Sequence, residues 1–282
     1  MLEHLPEDVK KRVCQEVVAL SSSVRAGDSS ALIDLEKKSA ELFNRTVRGN
    51  LTGYDCPECL NRGYFEKVDD NGHKFSKPCK CMEIRRSLRN IEKSGLKDLL
   101  ESRTFDTWEA TYDWQRNAAS KACGYVRERS GWFYIGGTVG AGKTHLCTAI
   151  CGALLKRGYP VRYVLWRDFS TQAKALVNDD VAYQRIVEPL KRVKVLYFDD
   201  LLKTKKGAEP TPGDINLLFE IINARYNDKN LLTIISTELS IDRLMEIDPA
   251  VGSRIYERSK KHCIQLEGVQ NHRMEGYGEN ES

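Results

Sequence analysis

The stretch "WFYIGGTVGAGKTHLCTAI", Trp132 to Ile150, decides the fold of this chain. It begins with an apolar run typical of a buried strand, passes through a glycine-rich turn, and continues as a helix-like sequence. The turn matches the pattern G-x-x-x-x-G-K-[ST] at every fixed position. Because a strand precedes the turn and a helix follows it, we expect a phosphate-binding loop rather than a chance glycine turn. The loop consists of Gly137, Thr138, Val139, Gly140, Ala141, Gly142, Lys143 and Thr144.

Each residue type in this loop has a chemical reason to be there. The glycines let backbone N–H groups turn inward around phosphate groups, and the following helix directs its positive end at the anion. We expect Lys143 to reach the β- and γ-phosphates of ATP, and the Thr144 hydroxyl to ligate Mg²⁺. The next residue, His145, is also counted among the nucleotide-binding residues.

A second motif, "VLYFDD", ends an apolar run with two acidic residues. We expect Asp199 to hold Mg²⁺ through water and Asp200 to orient or deprotonate the attacking water. Two adjacent carboxylates are costly unless a cation lies nearby, and the phosphate loop would bring one. The alternative is an ordinary surface turn after a buried strand.

A third motif, "IISTELS", ends another apolar run in polar residues. Ser236, Thr237 and Glu238 are candidates for a side chain that contacts the γ-phosphate. The alternative is a strand-end turn followed by a helix cap at Ser240.

The alternation of short apolar runs with longer helical ones predicts an α/β fold with a parallel sheet and crossover helices. The 282 residues carry a net charge of +4, and 30% of them are charged. This mild basicity permits nucleic-acid binding without requiring it. The sequence contains no run of about 18 apolar residues and no secretion signal, so we expect no membrane span and a cytoplasmic location with reduced thiols.

Four cysteines form two close pairs, Cys56 and Cys59 in "CPEC" and Cys79 and Cys81 in "CKC". This spacing is typical of a four-thiolate zinc site, and the sequence between the two pairs predicts a hairpin. A redox CxxC is an alternative that leaves "CKC" unexplained, and His73 is an alternative zinc ligand. The remaining cysteines are expected to be small buried residues. They are Cys14, Cys123, Cys147, Cys151 and Cys263.

The order of the three motifs, followed by "GSRIYERSKKHCIQLEG", resembles AAA+ ATPases of the initiator and loader clade. With its cysteine-bearing front half, the chain is most similar to the DnaC/DnaI-type helicase loaders of the IstB/DnaC ATP-binding family, particularly phage-like ones. The resemblance implies a P-loop AAA+ core with a five-stranded parallel sheet of order 5-1-4-3-2. It also implies ATP-dependent homo-oligomerisation through the ATP interface, and loading of a DnaB-type replicative helicase onto single-stranded DNA.

Apolar positions at helical spacing predict an N-terminal helical region at 1–50. We expect a zinc-binding region that contacts the partner at 51–95 and an ATPase core at 96–282. Fourteen residues follow "HCIQLEG", so we expect no C-terminal lid. Glu238 departs from the pattern, because many relatives carry Asn there.

The resemblance also assigns Arg254, in "GSRI", as the arginine that reaches the ATP of a neighbouring subunit. Arg258 is the second candidate, and the alternative is that both are solvated helix residues paired with their neighbours. Two basic segments, "RRSLR" and "KTKKG", are candidates for phosphate contacts with single-stranded DNA, or else are solvated. Lys203, Lys205 and Lys206 belong to the second segment.

Two other functions stay open at this point. An IstB-type transposition helper would engage a transposase and double-stranded DNA. A nucleotide-binding adaptor would recruit a partner without turnover, although the intact Lys143, Asp199 and Asp200 argue against it.

Overall fold

A computed structural model describes residues 29–93, 96–204 and 208–269. The chain forms two compact units with a boundary between Arg86 and Ser87. Several residues named above lie outside the described ranges, so the expectations attached to them stay predictions. They are residues 1–28 of the predicted N-terminal helical region, which include Cys14, and Lys205 and Lys206.

The first unit contains a helix and a two-stranded antiparallel sheet. Its elements are α1 (Ser29–Thr46), β1 (Tyr64–Val68), β2 (Lys74–Pro78) and the start of α2 (Cys81–Lys93). The Asn44 side chain donates to Glu66 O at 2.8 Å and accepts from Glu66 N at 2.9 Å, and so satisfies the backbone of β1 as a neighbouring strand would. The predicted hairpin is confirmed.

The second unit alternates strands and helices. Its helices are α3 (Leu96–Ser102), α4 (Asp113–Glu128), α5 (Lys143–Lys156), α6 (Trp166–Ala175), α7 (Asp180–Arg192), α8 (Pro212–Asn227), α9 (Ile241–Ile247) and α10 (Pro249–Ser259). Its strands are β3 (Trp132–Gly137), β4 (Val161–Leu165), β5 (Val195–Asp199), β6 (Leu232–Ser236) and β7 (Cys263–Leu266).

These five strands form one parallel sheet in the order β4-β5-β6-β3-β7. Counted along the chain and taken from the other edge, this is the order 5-1-4-3-2, so the predicted fold is confirmed. Alternate side chains of β3 enter the cores on opposite faces of the sheet: Phe133 and Ile135 on one, Trp132 and Tyr134 on the other. The strand order places the end of β6 between the ends of β3 and β5, and this is where the site lies.

The apolar spacing of "SIDRLMEIDPAVGSRIYERSKK" predicts one helix, and this prediction is wrong. The structure has α9 and α10, separated at Asp248. Pro249 cannot donate a backbone hydrogen bond and disfavours a helical conformation at Asp248. The Asp248 side chain instead accepts a bond from Val251 N at 2.7 Å and begins a new helix.

Among the described helices, none combines the length and the apolar character needed to cross a membrane.

Candidate functional site

The phosphate loop joins β3 to α5. Gly137, Gly140 and Gly142 have φ angles of +116°, +78° and +75°, which side-chain-bearing residues rarely adopt. At Gly137 a Cβ atom would also lie 2.1 Å from Leu266 O. The backbone therefore needs glycine here to curve around an anion.

Lys143 is 7% exposed and lies inside this loop. Its Nζ donates to Gly137 O and Thr138 O, at 2.8 Å each. Burial lowers the pKa of the ammonium, whereas Glu238 and Asp200 act in the opposite direction. The ammonium is thus held where a phosphate group cradled by the loop would meet it.

Asp199, at the end of β5, is 5% exposed and accepts hydrogen bonds from three hydroxyl groups. Thr144 Oγ1 and Ser236 Oγ donate to Oδ1, the former at 3.1 Å, and Tyr163 OH donates to Oδ2 at 3.1 Å. Burial and Asp199 raise the pKa of Tyr163, so its hydroxyl stays protonated and donates. A hydroxyl and a carboxylate side by side are ligands that Mg²⁺ prefers, so Thr144 and Asp199 fit the predicted metal role.

Asp200 adopts the left-handed conformation with φ +50° and points to the same cleft as Glu238. Lys203 Nζ lies 3.0 Å from Asp200 Oδ2 and 2.8 Å from Glu238 Oε1. Thr237 is fully buried, and its hydroxyl donates to Leu201 O at 2.7 Å. Of the three candidates at the end of β6, Glu238 therefore lines the cleft, while Ser236 orients Asp199 and Thr237 fixes the neighbouring turn.

The cleft has a volume of about 610 Å³ and combines the phosphate loop with the segment before α4. His145 and Trp108 meet edge to face, with ring centroids 5.3 Å apart. His145 Nε2 lies 2.9 Å from Thr104 O, so this nitrogen carries the proton, and burial lowers the pKa of the ring. Residues from this segment that line the cleft are Arg103, Thr107, Trp108 and Glu109, and Gln115 at the start of α4 joins them.

Several of these residues were missed from sequence. No motif marks the segment around Trp108, and Tyr163 lies within a strand that matches no motif. Lys203 belongs to a basic segment for which the sequence suggests DNA contacts or a solvated loop, so its place in the cleft was not predicted. An aromatic-rich segment ahead of a phosphate loop is the signal that points to Trp108, whereas nothing in the sequence singles out Tyr163.

Arg254 lies on α10 and does not line the cleft of its own chain. Its guanidinium stacks on Phe219 and Tyr226, with centroid distances of 5.3 and 5.6 Å, and its Nη1 donates to Ala250 O at 2.8 Å. Arg258 stacks on Trp132 at 5.6 Å. Within the part of the chain that the structure describes, neither guanidinium forms an ion pair, so the alternative of pairing with helix neighbours is not what orders them.

Arg225, another arginine of the second unit, is fully buried. It donates to Leu190 O, Val193 O and Leu232 O at 2.7 to 2.9 Å, and to Thr233 Oγ1 at 3.0 Å. Burial lowers the pKa of its guanidinium to about 9. Arg225 therefore joins α8 to the ends of α7 and β6 and cannot reach another subunit.

The four predicted thiolates come together in the first unit. Cys56, Cys59, Cys79 and Cys81 are all buried, and their sulfur atoms lie within 4.8 Å of one another. The Cys56–Cys79 and Cys59–Cys81 sulfur distances are 3.9 and 3.6 Å. Tetrahedral zinc with Zn–S bonds of about 2.3 Å requires sulfurs about 3.8 Å apart, so the residues present fit zinc.

Backbone and side-chain bonds fix the loops that carry these cysteines. Gly63 N donates to Cys59 Sγ at 3.3 Å. Although burial raises the pKa of Cys59, this bond and the neighbouring thiols lower it to about 7. Arg85 donates to Thr52 O and Tyr54 O, and so ties the loop before Cys56 to α2.

The remaining candidates in this part of the sequence are placed elsewhere. His73 is largely exposed at the hairpin tip, where it bonds Asp69 at 3.2 Å, so it does not join the cysteine cluster. Cys147 and Cys151 are buried as expected, and Cys263 is partly buried. Cys123 is exposed, and the expectation that it is buried was wrong because it lies on the solvent face of α4.

Comparisons with known proteins agree with this architecture. The family model described as IstB-like ATP binding protein matches residues 80–275. The phage-like element PBSX protein XkdC of Bacillus subtilis (strain 168) is 29% identical over 255 residues, which cover 83% of this chain and 92% of XkdC. The replicative helicase loader DnaC of Escherichia coli (strain K12) is 26% identical over 177 residues, covering 61% of this chain and 69% of DnaC.

Two solved structures share the fold of the second unit. The crystal structure of the DnaC helicase loader superposes with a TM-score of 0.50 at 24% identity, over 61% of this chain and 98% of that one. The crystal structure of DnaI superposes with a TM-score of 0.50 at 22% identity, over 61% of this chain and 93% of that one.

Proposed function

Because the chain belongs to the family of IstB-like ATP-binding proteins, we propose that it is an ATPase that loads a DnaB-type replicative helicase onto single-stranded DNA. ATP hydrolysis is coupled to self-assembly through the ATP interface and to release of the partner. Loading of this kind takes place on replicating DNA, so the proposal includes a cytoplasmic location.

One observation carries the ATPase part of the proposal. The Thr144 hydroxyl of the phosphate loop lies 3.1 Å from the Asp199 carboxylate, which joins the two motifs into one site. Both motifs are polar ends of parallel strands at the same sheet edge, where ligands bind in this class of fold. A chance glycine turn and an unrelated surface carboxylate would not meet in this way.

Different residues of the cleft are assigned different steps of ATP hydrolysis. The loop amides and Lys143 bind the phosphates, and Mg²⁺ held by Thr144 and Asp199 would supply charge neutralisation between the β- and γ-phosphates. Asp200 orients the attacking water and accepts its proton, while the water oxygen bonds to the γ-phosphorus and the bond to ADP breaks. Ser236 and Tyr163 keep Asp199 in one orientation, so the carboxylate needs no rearrangement to act.

The helicase part of the proposal draws on the first unit and on the relatives. DnaC, which the second unit resembles, is a replicative helicase loader. This chain has a hairpin with a four-cysteine cluster before the ATPase core. We assign the partner contact to residues 51–95, with residues 1–50 as a helical extension and 96–282 as the core. Replicative helicase and single-stranded DNA are thus the proposed partners.

The proposal is tested with circular single-stranded DNA coated with single-strand-binding protein, which blocks spontaneous helicase binding. A DnaB-type helicase is added with ATP and the full chain, and unwinding of an annealed oligonucleotide is followed. We expect unwinding to require the chain and to be lost with Lys143→Ala. Equal unwinding with and without the chain would refute helicase loading.

A parallel measurement separates the adaptor alternative. Phosphate release is followed with and without single-stranded DNA. Nucleotide binding with no release under either condition would favour an adaptor without turnover, whereas release stimulated by double-stranded DNA alone would favour a transposition helper.

A further inference from the structure

Lys203 follows Asp200 in a tight turn and places its ammonium between two carboxylates of the cleft. Its Nζ lies 3.0 Å from Asp200 Oδ2 and 2.8 Å from Glu238 Oε1. All three side chains line the same cleft as the phosphate loop. Lys203 therefore connects the acid that follows β5 with the acid that follows β6.

The turn that carries Lys203 is fixed by its surroundings. Asp200 and Leu202 have φ angles of +50° and +56°, which are unfavourable for residues with side chains and persist only where packing fixes them. Leu201 is fully buried, its N donates to Ser236 O at 2.9 Å, and its carbonyl accepts from Thr237 Oγ1 at 2.7 Å. The Lys203 backbone is thus fixed next to the cleft, whereas its side chain is 40% exposed.

Glu238 needs a cation beside it if a triphosphate is to bind. Its carboxylate lines the cleft next to the phosphate loop, where it would repel the negative charge of a γ-phosphate. Lys203 neutralises it at 2.8 Å, and the hydrogen bond to Glu238 is the largest cause that raises the pKa of Lys203. The Glu238–Lys203 pair thus presents a positive group where Glu238 alone would present a negative one.

The ion pair between Lys203 and Asp200 can be broken by a competing anion. The Asp200 and Glu238 side chains are 31% and 37% exposed, and water screens ion pairs as accessible as these. A γ-phosphate carries more negative charge than a carboxylate and presents several acceptor oxygens. An incoming triphosphate can therefore attract the ammonium away from Asp200.

We propose that Lys203 is a second phosphate-binding lysine, positioned by Glu238, that moves from Asp200 to the γ-phosphate when a triphosphate enters the cleft. The inference rests on the proposed ATPase function and adds a residue to it. Without a triphosphate, the ammonium occupies Asp200, the carboxylate assigned to water. When a triphosphate binds, its γ-phosphate takes the ammonium and the Asp200 carboxylate is left free to act on water. A diphosphate has no γ-phosphate, so the ammonium stays paired with Asp200.

The test measures binding of two nucleotides to the full chain by calorimetry in the presence of Mg²⁺. The probes are ADP and the non-hydrolysable β,γ-imido analogue of ATP. One lost charge-assisted hydrogen bond corresponds to about a tenfold loss of affinity, so Lys203→Ala should bind the analogue about tenfold more weakly and ADP within about twofold of wild type. Lys203→Arg should retain most of the affinity for the analogue.

Lys174 offers a matched control. Its side chain is also 40% exposed and pairs with a carboxylate, Asp214, at 2.7 Å, but it does not line the nucleotide cleft. Lys174→Ala should therefore leave both affinities unchanged. Equal losses for ADP and the analogue in Lys203→Ala, or no loss for either, would overturn the proposal.

A double variant tests the part played by Glu238. In Lys203→Ala the Glu238 carboxylate faces the γ-phosphate without its cation, so adding Glu238→Gln should restore part of the affinity for the analogue. A purely structural role in the turn predicts no recovery, and that result would overturn the positioning role of Glu238.

The same binding measurements distinguish a wrong role for Lys203 from a wrong ATPase proposal. If wild type binds neither nucleotide, the ATPase proposal fails and the inference fails with it. If wild type binds both, Lys143→Ala binds weakly, and Lys203→Ala behaves as wild type, the inference alone is overturned.

Discussion

The partners of Lys143 are expected to change when ATP binds. Its ammonium is buried and bonded to two loop carbonyls, and phosphate oxygens would replace them as partners. Hydrogen bonds to charged groups contribute about 1.5–3 kcal/mol, so Lys143→Ala should lower the affinity for ATP by roughly ten- to hundredfold and reduce turnover with it.

The fold should survive this substitution, because Lys143 lines a cleft that admits water, and water can take the place of the ammonium. Thermal unfolding and nucleotide titration are measured on the same preparations. Lys156→Ala, at the exposed end of the same helix, is the control and should match wild type. Unchanged turnover in Lys143→Ala would contradict the phosphate-loop assignment.

Arg225 stabilises the core and does not take part in ATP hydrolysis. Four of its N–H groups are used inside the protein, three of them on backbone carbonyls. Arg225→Met would leave these buried acceptors unpaired, and we expect the free energy of unfolding to fall by about 3 kcal/mol or more.

Denaturant unfolding of the full chain checks this value. Arg192→Ala is the control, since the Arg192 side chain is 83% exposed and should contribute little. A loss of hydrolysis in Arg225→Met with unchanged unfolding would instead indicate that Arg225 acts on ATP.

The sequence predicts the roles of some site residues and not of others. Gly137, Lys143 and Asp199 could be predicted because phosphate chemistry demands those residue types at fixed spacing. Tyr163 and Lys203 could not, because their roles depend on which strands are neighbours and on a left-handed turn at Asp200. The sheet order brings Tyr163 within 3.1 Å of Asp199, a contact that no local pattern encodes.

At the scale of elements, the cysteine cluster joins the loop before β1 to the start of α2. We predict one zinc ion per chain, bound by Cys56, Cys59, Cys79 and Cys81. Metal binding of this kind is also folding energy, so chelation should loosen residues 29–86 while the ATPase core keeps its protection. Metal analysis and hydrogen exchange, measured before and after chelation, test both statements.

Two variants sharpen the zinc prediction. Replacing Cys79 and Cys81 by Ser should abolish zinc binding, whereas Cys123→Ser should retain it, because Cys123 lies outside the cluster. Zinc retained by the double variant would place the ligands elsewhere, and a zinc content near zero in wild-type protein purified without chelator would remove the prediction.

Element types were easier to predict than element boundaries. The five core strands carry apolar runs that periodicity detects, and their alternation with helices indicates the parallel sheet. The break between α9 and α10 was missed because the apolar spacing continues through it. The signal that was available is the Asp248-Pro249 pair. Asp248 caps the second helix and Pro249 lacks a backbone N–H, and together these two effects outweigh the apolar periodicity.

At the scale of the whole molecule, the ATPase core is proposed to act between copies. Arg254 lies on α10, outside its own cleft, and stacks on Phe219 and Tyr226. Two aromatic faces restrict the guanidinium before any partner arrives, which lowers the entropy lost when it binds a phosphate. Phe219 is 37% exposed, so this stacked group is accessible from solvent.

We predict that Arg254→Ala keeps ATP binding and loses hydrolysis, because a trans arginine contributes roughly 10³ to 10⁵ to the hydrolysis rate. The decisive experiment mixes two inactive proteins, Arg254→Ala and Asp200→Asn. At some interfaces an intact Arg254 would face an intact Asp200, so mixing should restore part of the activity. Protein concentration and single-stranded DNA are set so that each variant still assembles, which sedimentation verifies. If the assembled mixture stays as inactive as its parts, Arg254 does not act in trans, and Arg258 is the next residue to test, since Arg225 is enclosed in the core.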